Sequence, residues 1–144
     1  MIKILVMGKS GRIDCLADAL IRSSHPVKLY TLSEVNNPGL REKSEEVRVG
    51  KTDDVKIVEA YAREIKPDFS VIGPEEPLAA GVVDMLRKRG VPCVGPTQSV
   101  ARLETSKSFT RDLLAKYHIP GNPSTERSIR FPLYLRKKRP YVSM

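Results

Sequence analysis

Asp68-Phe69-Ser70-Val71-Ile72-Gly73-Pro74-Glu75-Glu76-Pro77-Leu78 is a short apolar run that stops at a glycine, two prolines and two adjacent carboxylates. Four β-prone residues ending in Gly-Pro read as a buried parallel strand that delivers a rigid loop at its carboxyl end. Open α/β sheets bind their ligands at that end. Pro74 and Pro77 each fix φ and lack an N–H, which sets Glu75 and Glu76 in a stiff turn. The other reading open to the pair is the first turn of a helix, where acids suit the dipole.

The flanks of this stretch read as helices. Upstream, Thr52-Asp53-Asp54 supplies an N-cap and Val58, Ala62 and Ile65 fall on one helical face, which Lys66-Pro67 ends. Downstream, Leu78, Val82, Val83 and Leu86 form a second apolar face, closed by Arg87-Lys88-Arg89-Gly90, where cations and glycine suit a helix C-terminus. Val91 to Val94 is then a last short strand. Nearer the start, Ile2-Lys3-Ile4-Leu5-Val6-Met7 is an apolar strand, Gly8-Lys9-Ser10-Gly11-Arg12 a loop, and Leu16, Ala19 and Leu20 the face of a helix. Pro26 to Thr31 reads as the second strand, Asn36-Asn37-Pro38-Gly39 as a turn, and Glu46 to Val49 as the third strand.

Strands alternating with helices predict an α/β fold, a doubly wound parallel sheet of about five strands. Ser99 to Leu103 and a longer helix capped by Ser106, with Phe109, Leu113 and Tyr117 on one side, add a helical C-terminal extension. The expected organisation is a substrate-side α/β domain over 1–98, a helical linker over 99–120 and a basic tail over 121–144.

Strand, glycine loop and helix together make the unit that binds phosphate at a helix N-terminus. The dinucleotide fingerprint is absent, because its second and third glycines fall on Ser10 and Ile13, and no Walker A loop is present. Lys9, Ser10, Gly11 and Arg12 still offer a hydroxyl, backbone amides and two cations, which suits a sugar phosphate; a plain tight turn is the alternative. The two cysteines, Cys15 and Cys93, suggest neither a zinc site nor a disulfide framework, and no apolar run is long enough to span a bilayer. A cytoplasmic location is the expectation. Of the formal charge of +8, residues 121–144 carry +5, so the basicity is mostly a property of the tail. That stretch has no RNA-binding signature, which argues against a nucleic-acid partner.

Three segments are similar to a known family, the N-terminal domain of phosphoribosylamine-glycine ligase (glycinamide ribonucleotide synthetase). Lys3 to Gly8 through Gly11-Arg12 resembles the family's first strand and phosphate loop. Val71-Ile72-Gly73-Pro74-Glu75-Glu76-Pro77-Leu78 with Gly81-Val82-Val83-Asp84 resembles its Val-Gly-Pro-Glu-x-Pro-Leu signature, and Leu103-Glu104-Thr105-Ser106-Lys107-Ser108-Phe109 its Leu-Glu-x-Ser-Lys-x-Phe segment. Where the family has Glu-His-Ala after the arginine, this chain has Ile13-Asp14-Cys15.

The resemblance implies a Rossmann-like, pre-ATP-grasp domain of an ATP-dependent ligase that joins glycine to 5-phosphoribosylamine in purine biosynthesis. It implies that Gly8, Ser10, Gly11, Arg12, Pro74, Glu75, Pro77, Leu78 and Asp84 bind phosphoribosylamine or a similar sugar phosphate, and that Lys107 reaches ATP. No catalytic or metal-ligating residue is assigned. The family chain continues through an ATP-grasp fold beyond the point where this sequence stops. Complete ATP and Mg²⁺ sites are therefore not expected here, and the chain is expected to be inactive alone or completed by a separate polypeptide. A non-catalytic sugar-phosphate or nucleotide-binding module is the alternative.

Overall fold

The computed structural model describes residues 1–121. Among them are five strands and seven helices: β1 (Ile2–Met7), α1 (Gly11–Ile21), β2 (Val27–Ser33), α2 (Pro38–Lys43), β3 (Glu46–Val49), α3 (Val55–Ile65), β4 (Phe69–Ile72), α4 (Glu75–Ala79), α5 (Val82–Lys88), β5 (Cys93–Val94), α6 (Gln98–Thr105) and α7 (Lys107–Lys116). The strands pair in the order β3-β2-β1-β4-β5, and every pairing is parallel. The expected doubly wound α/β sheet is present.

Period-two alternation in β1 divides the core between the two faces of the sheet. Leu5 and Met7 point to the side covered by α3, α4, α5 and α6, where Val58, Tyr61, Leu78, Val82, Val83, Leu86 and Ala101 are buried with them. Ile4 and Val6 point to the other side, against Ile13 and Ala17 of α1 and Leu40 of α2. A strand buried on both faces has to be apolar throughout its centre, which accounts for the unbroken run Ile4-Leu5-Val6-Met7.

Four local expectations are corrected. The core face of α1 is Ile13 and Ala17, while Leu16 is exposed, because the helix begins at Gly11 and its first buried position is Ile13. Asn37 caps a helix instead of forming a turn: its Oδ1 accepts from Gly39 N–H at 2.9 Å and Leu40 N–H at 3.4 Å, with Pro38 at the start of α2, where a missing N–H costs nothing. The apolar face from Leu78 to Leu86 is two helices broken at Gly81, which has φ +85°. Glu75 and Glu76 lie in the first turn of α4 rather than in a turn of their own.

Elsewhere the caps are those the sequence predicts. Asp54 accepts from Lys56 N–H at 2.9 Å and Ile57 N–H at 3.3 Å at the start of α3. Arg48 of β3 bridges Glu46 and Glu64 and lies over the ring of buried Tyr61 at 4.1 Å, tying the edge strand to α3.

The chain divides after Thr110 into two units. In the second, the described part runs to Gly121: it completes α7, and Ile119 N–H donates to Leu114 O at 2.9 Å as His118 and Gly121 take positive φ. The basic tail lies outside the described residues. No helix among the described residues is long and apolar enough to cross a membrane.

Candidate functional site

The register fixes where a ligand can approach. Met7 of β1 is level with Leu32 of β2 and with Ile72 of β4, so three loops leave the sheet at one height. β1 lies between β2 and β4, where the direction of winding reverses, and crevices form at that switch point. Backbone hydrogen bonds continue the pairing for one residue beyond the strands: Gly8 N–H donates to Leu32 O at 3.2 Å and Gly73 N–H to Met7 O at 3.3 Å.

The β1 and β4 loops touch. A Cβ on Gly8 would lie 3.2 Å from Pro74 Cδ and 2.4 Å from Ile13 Cγ1, and one on Gly73 would lie 2.1 Å from Ile13 Cδ1. Ile13 is 1% exposed and fills the space that both glycines leave open. Gly8 also has φ +145°, a conformation that side chains disfavour. Ile13, which stands where the resembled family has glutamate, is thus a packing residue between the two loops.

Beyond Gly8 the chain opens. Ser10 is the N-cap of α1 but makes no side-chain cap hydrogen bond, and Ser10, Gly11 and Arg12 are exposed. The first amides of an 11-residue helix therefore have no side-chain cap, and a Cβ on Gly11 would meet no heavy atom within 4 Å. Arg12 has no ion-pair partner among the described residues, whereas Lys9 donates to Glu34 Oε2 at 2.8 Å and lies 3.9 Å from Glu76 Oε1. The hydrogen bond to Glu34 raises the Lys9 pKa and lowers that of Glu34. Of the two loop cations, Lys9 is committed and Arg12 is available.

The remaining expected residues are distributed differently. Pro77 and Leu78 are buried, and Leu78 Cδ2 would lie 3.2 Å from a Cβ on Gly95, so both anchor α4 in the core. Glu75 is half-buried, with no hydrogen-bond or ion-pair partner among the described residues. Asp84 Oδ2 accepts from Gln98 N–H at 2.7 Å and thereby holds the start of α6 to α5. Lys107 is exposed in the first turn of α7.

The sequence marks neither Glu34 nor Thr52 as a site residue. Thr52 Oγ1 donates to Glu34 Oε1 at 3.3 Å, and Glu34 lines an open recess with Lys9, Gly50, Asp53 and Glu76. The signal was present: an acid directly after the second strand stands at the carboxyl edge, but only once β2 is carried through Ser33. Among the described residues no group of three or more His, Cys, Asp or Glu could hold a metal ion. The Cys93 thiol is pushed up to about 11 by burial, so it is protonated and weakly nucleophilic at neutral pH.

Residues 2–104 match the family model described as phosphoribosylglycinamide synthetase, N domain. The phosphoribosylamine–glycine ligase of Methanocaldococcus jannaschii is 45% identical over 120 residues, which are 83% of this chain and 27% of that protein. The ligase of the same name from Pyrococcus furiosus is 41% identical over 121 residues, 84% of this chain and 27% of that protein. This chain therefore spans about a quarter of the length of either relative. In fold it is similar to glycinamide-RNase-transformylase T from Mycobacterium tuberculosis, with a TM-score of 0.65 at 17% identity over 80% of this chain and 32% of that one.

Proposed function

Because the chain belongs to the family of the phosphoribosylglycinamide synthetase N domain, we propose that it forms the substrate-side part of a ligase joining glycine to 5-phosphoribosylamine. The observation that carries this is the uncapped start of α1, with Arg12 available beside it, at the switch point where the β1 and β4 loops meet. The phosphate of the ligand is assigned to the Gly11 and Arg12 amides, the Ser10 hydroxyl and the Arg12 guanidinium. Glu75, unpartnered in the first turn of α4, is assigned to the amine. Gly8 and Pro74 allow the loops their close approach, while Pro77, Leu78 and Asp84 hold α4, α5 and α6 behind them.

ATP and Mg²⁺ are assigned to the remainder of such a ligase, in the same polypeptide or in another. One exposed lysine, Lys107, does not make a nucleotide pocket, and the described residues do not fit a metal centre. A cytoplasmic setting fits this reading. The relatives, both ligases by name, do not favour a purely non-catalytic binding module.

Calorimetric titration with ribose 5-phosphate tests the site. Arg12→Ala is expected to weaken binding roughly tenfold to a hundredfold, the scale of one charge-assisted hydrogen bond. Equal affinity in wild type and Arg12→Ala would leave only a tight turn. Glu75→Gln should weaken an amine-bearing analogue more than its hydroxyl counterpart. In a coupled ADP-release assay with glycine and phosphoribosylamine, the 144-residue chain alone is expected to show no turnover.

A further inference from the structure

Glu34 follows β2 directly, and backbone bonds fix the point from which its side chain leaves. Gly8 N–H donates to Leu32 O at 3.2 Å on one side, and Gly50 N–H donates to Ser33 O at 2.9 Å on the other. Its two oxygens are then held separately, Oε2 by Lys9 Nζ at 2.8 Å and Oε1 by Thr52 Oγ1 at 3.3 Å. Thr52 is only 3% exposed, so this hydroxyl is a built part of the fold rather than a surface contact. An ionised carboxylate has about four acceptor positions, and Lys9, the Thr52 hydroxyl and the Thr52 backbone take three of them. The remaining position is left for a donor in the open recess of about 540 Å³ that Glu34 lines.

The charge of that recess selects the donor. Lys9 and Lys51 are outnumbered by Glu34, Asp53 and Glu76, so a second anion is disfavoured and uncharged hydroxyls are suited. The recess adjoins the start of α1, since Lys9 lines it two residues before Gly11. A ligand anchored by phosphate on those amides therefore carries its sugar toward Glu34. An acid after a strand at the switch point of a doubly wound sheet does this work toward ribose in dinucleotide sites, although this chain lacks the glycines of that fingerprint.

We infer that Glu34, held in place by Thr52 and Lys9, is a specificity-determining residue that accepts hydrogen bonds from the ring hydroxyls of a pentose phosphate. The inference rests on the reading of the α1 start as a phosphate site and adds the side of the ligand that is read for hydroxyls. Lys9 becomes a positioning residue rather than a phosphate ligand.

The test titrates inorganic phosphate, ribose 5-phosphate and 2-deoxyribose 5-phosphate into the wild-type chain and into Glu34→Ala. In wild type, ribose 5-phosphate should bind about tenfold tighter than its deoxy form, the scale of one hydrogen bond to a charged group. In Glu34→Ala that gap should close, with inorganic phosphate bound no more weakly than before. Phosphate bound by wild type without a ribose–deoxyribose gap, or a gap that survives Glu34→Ala, overturns the assignment of Glu34 and leaves the α1 reading standing. A wild-type chain that binds none of the three overturns both. The wild-type comparison needs no variant, so a poorly folding Glu34→Ala cannot blunt it.

Discussion

After β1 the chain exposes Ser10, Gly11 and Arg12, whereas after β4, one strand over and at the same height, it buries Pro77 and Leu78. Both loops begin with a glycine that makes room for Ile13, and both run into a helix. They differ in the residues after the glycine. The β1 loop spends four residues, Lys9 to Arg12, in the open before its helix gains a core contact at Ile13, while the β4 loop turns inward within one turn of α4. Two stretches that read alike as ligand loops thus divide the work: one presents groups to solvent, and the other mainly supports.

The largest expected effect falls on the supporting loop. Leu78→Ala removes a side chain that packs among Val82, Val83, Leu86 and Met7, and should cost about 2–5 kcal/mol in chemical denaturation. Arg12→Ala, in the presenting loop, should change stability by no more than about 0.5 kcal/mol while it weakens ligand binding. Comparable losses of stability in the two variants would erase the distinction between the loops.

A second contrast lies inside the β1 loop. Gly8→Ala puts a Cβ 2.4 Å from Ile13 Cγ1 at φ +145°, and should cost about 1–3 kcal/mol. Gly11→Ala meets nothing within 4 Å and lies in α1, so it should be neutral or stabilise by no more than about 1 kcal/mol. Thermal melts of the two variants locate the boundary between packed and open loop; a Gly11→Ala loss as large as that of Gly8→Ala would move it.

How much the sequence disclosed depends on how local each signal is. The unbroken apolar run Ile4-Leu5-Val6-Met7 and the caps at Asp54 and Ser106 involve neighbouring residues, and the strands and most helices can be read from such signals. Asn36-Asn37-Pro38-Gly39 has the composition of a turn and of a helix start alike, and only the contact of Leu40 with the sheet decides for α2. In the candidate site, Gly8, Ser10, Gly11 and Arg12 could be named because glycine and arginine after a strand have a local meaning. Glu34 is marked only by its place directly after β2, since its partners Lys9 and Thr52 are 25 and 18 residues away and come together only when β1, β2 and β3 are in register.

The smallest effect concerns the pair that joins the open loop to β2. Lys9 and Glu34 are both partly exposed, so their attraction is screened, and Lys9→Met should lower stability only slightly. The pH dependence identifies it nonetheless. Glu34 is depressed below its ordinary value of 4.5 by the hydrogen bond from Lys9, so its contribution is complete above that pH and is lost as pH falls through the folded value. Lys9 is raised above 10.5 by the same bond, so its contribution is complete below that pH and is lost as pH rises through the folded value. The stability difference between wild type and Lys9→Met should therefore be flat between about 4.5 and 10.5 and shrink on both sides. A difference that instead grew toward acid would mean that Lys9 is held by something other than a carboxylate. The presenting loop would then owe its shape to its own turn rather than to its tie to β2.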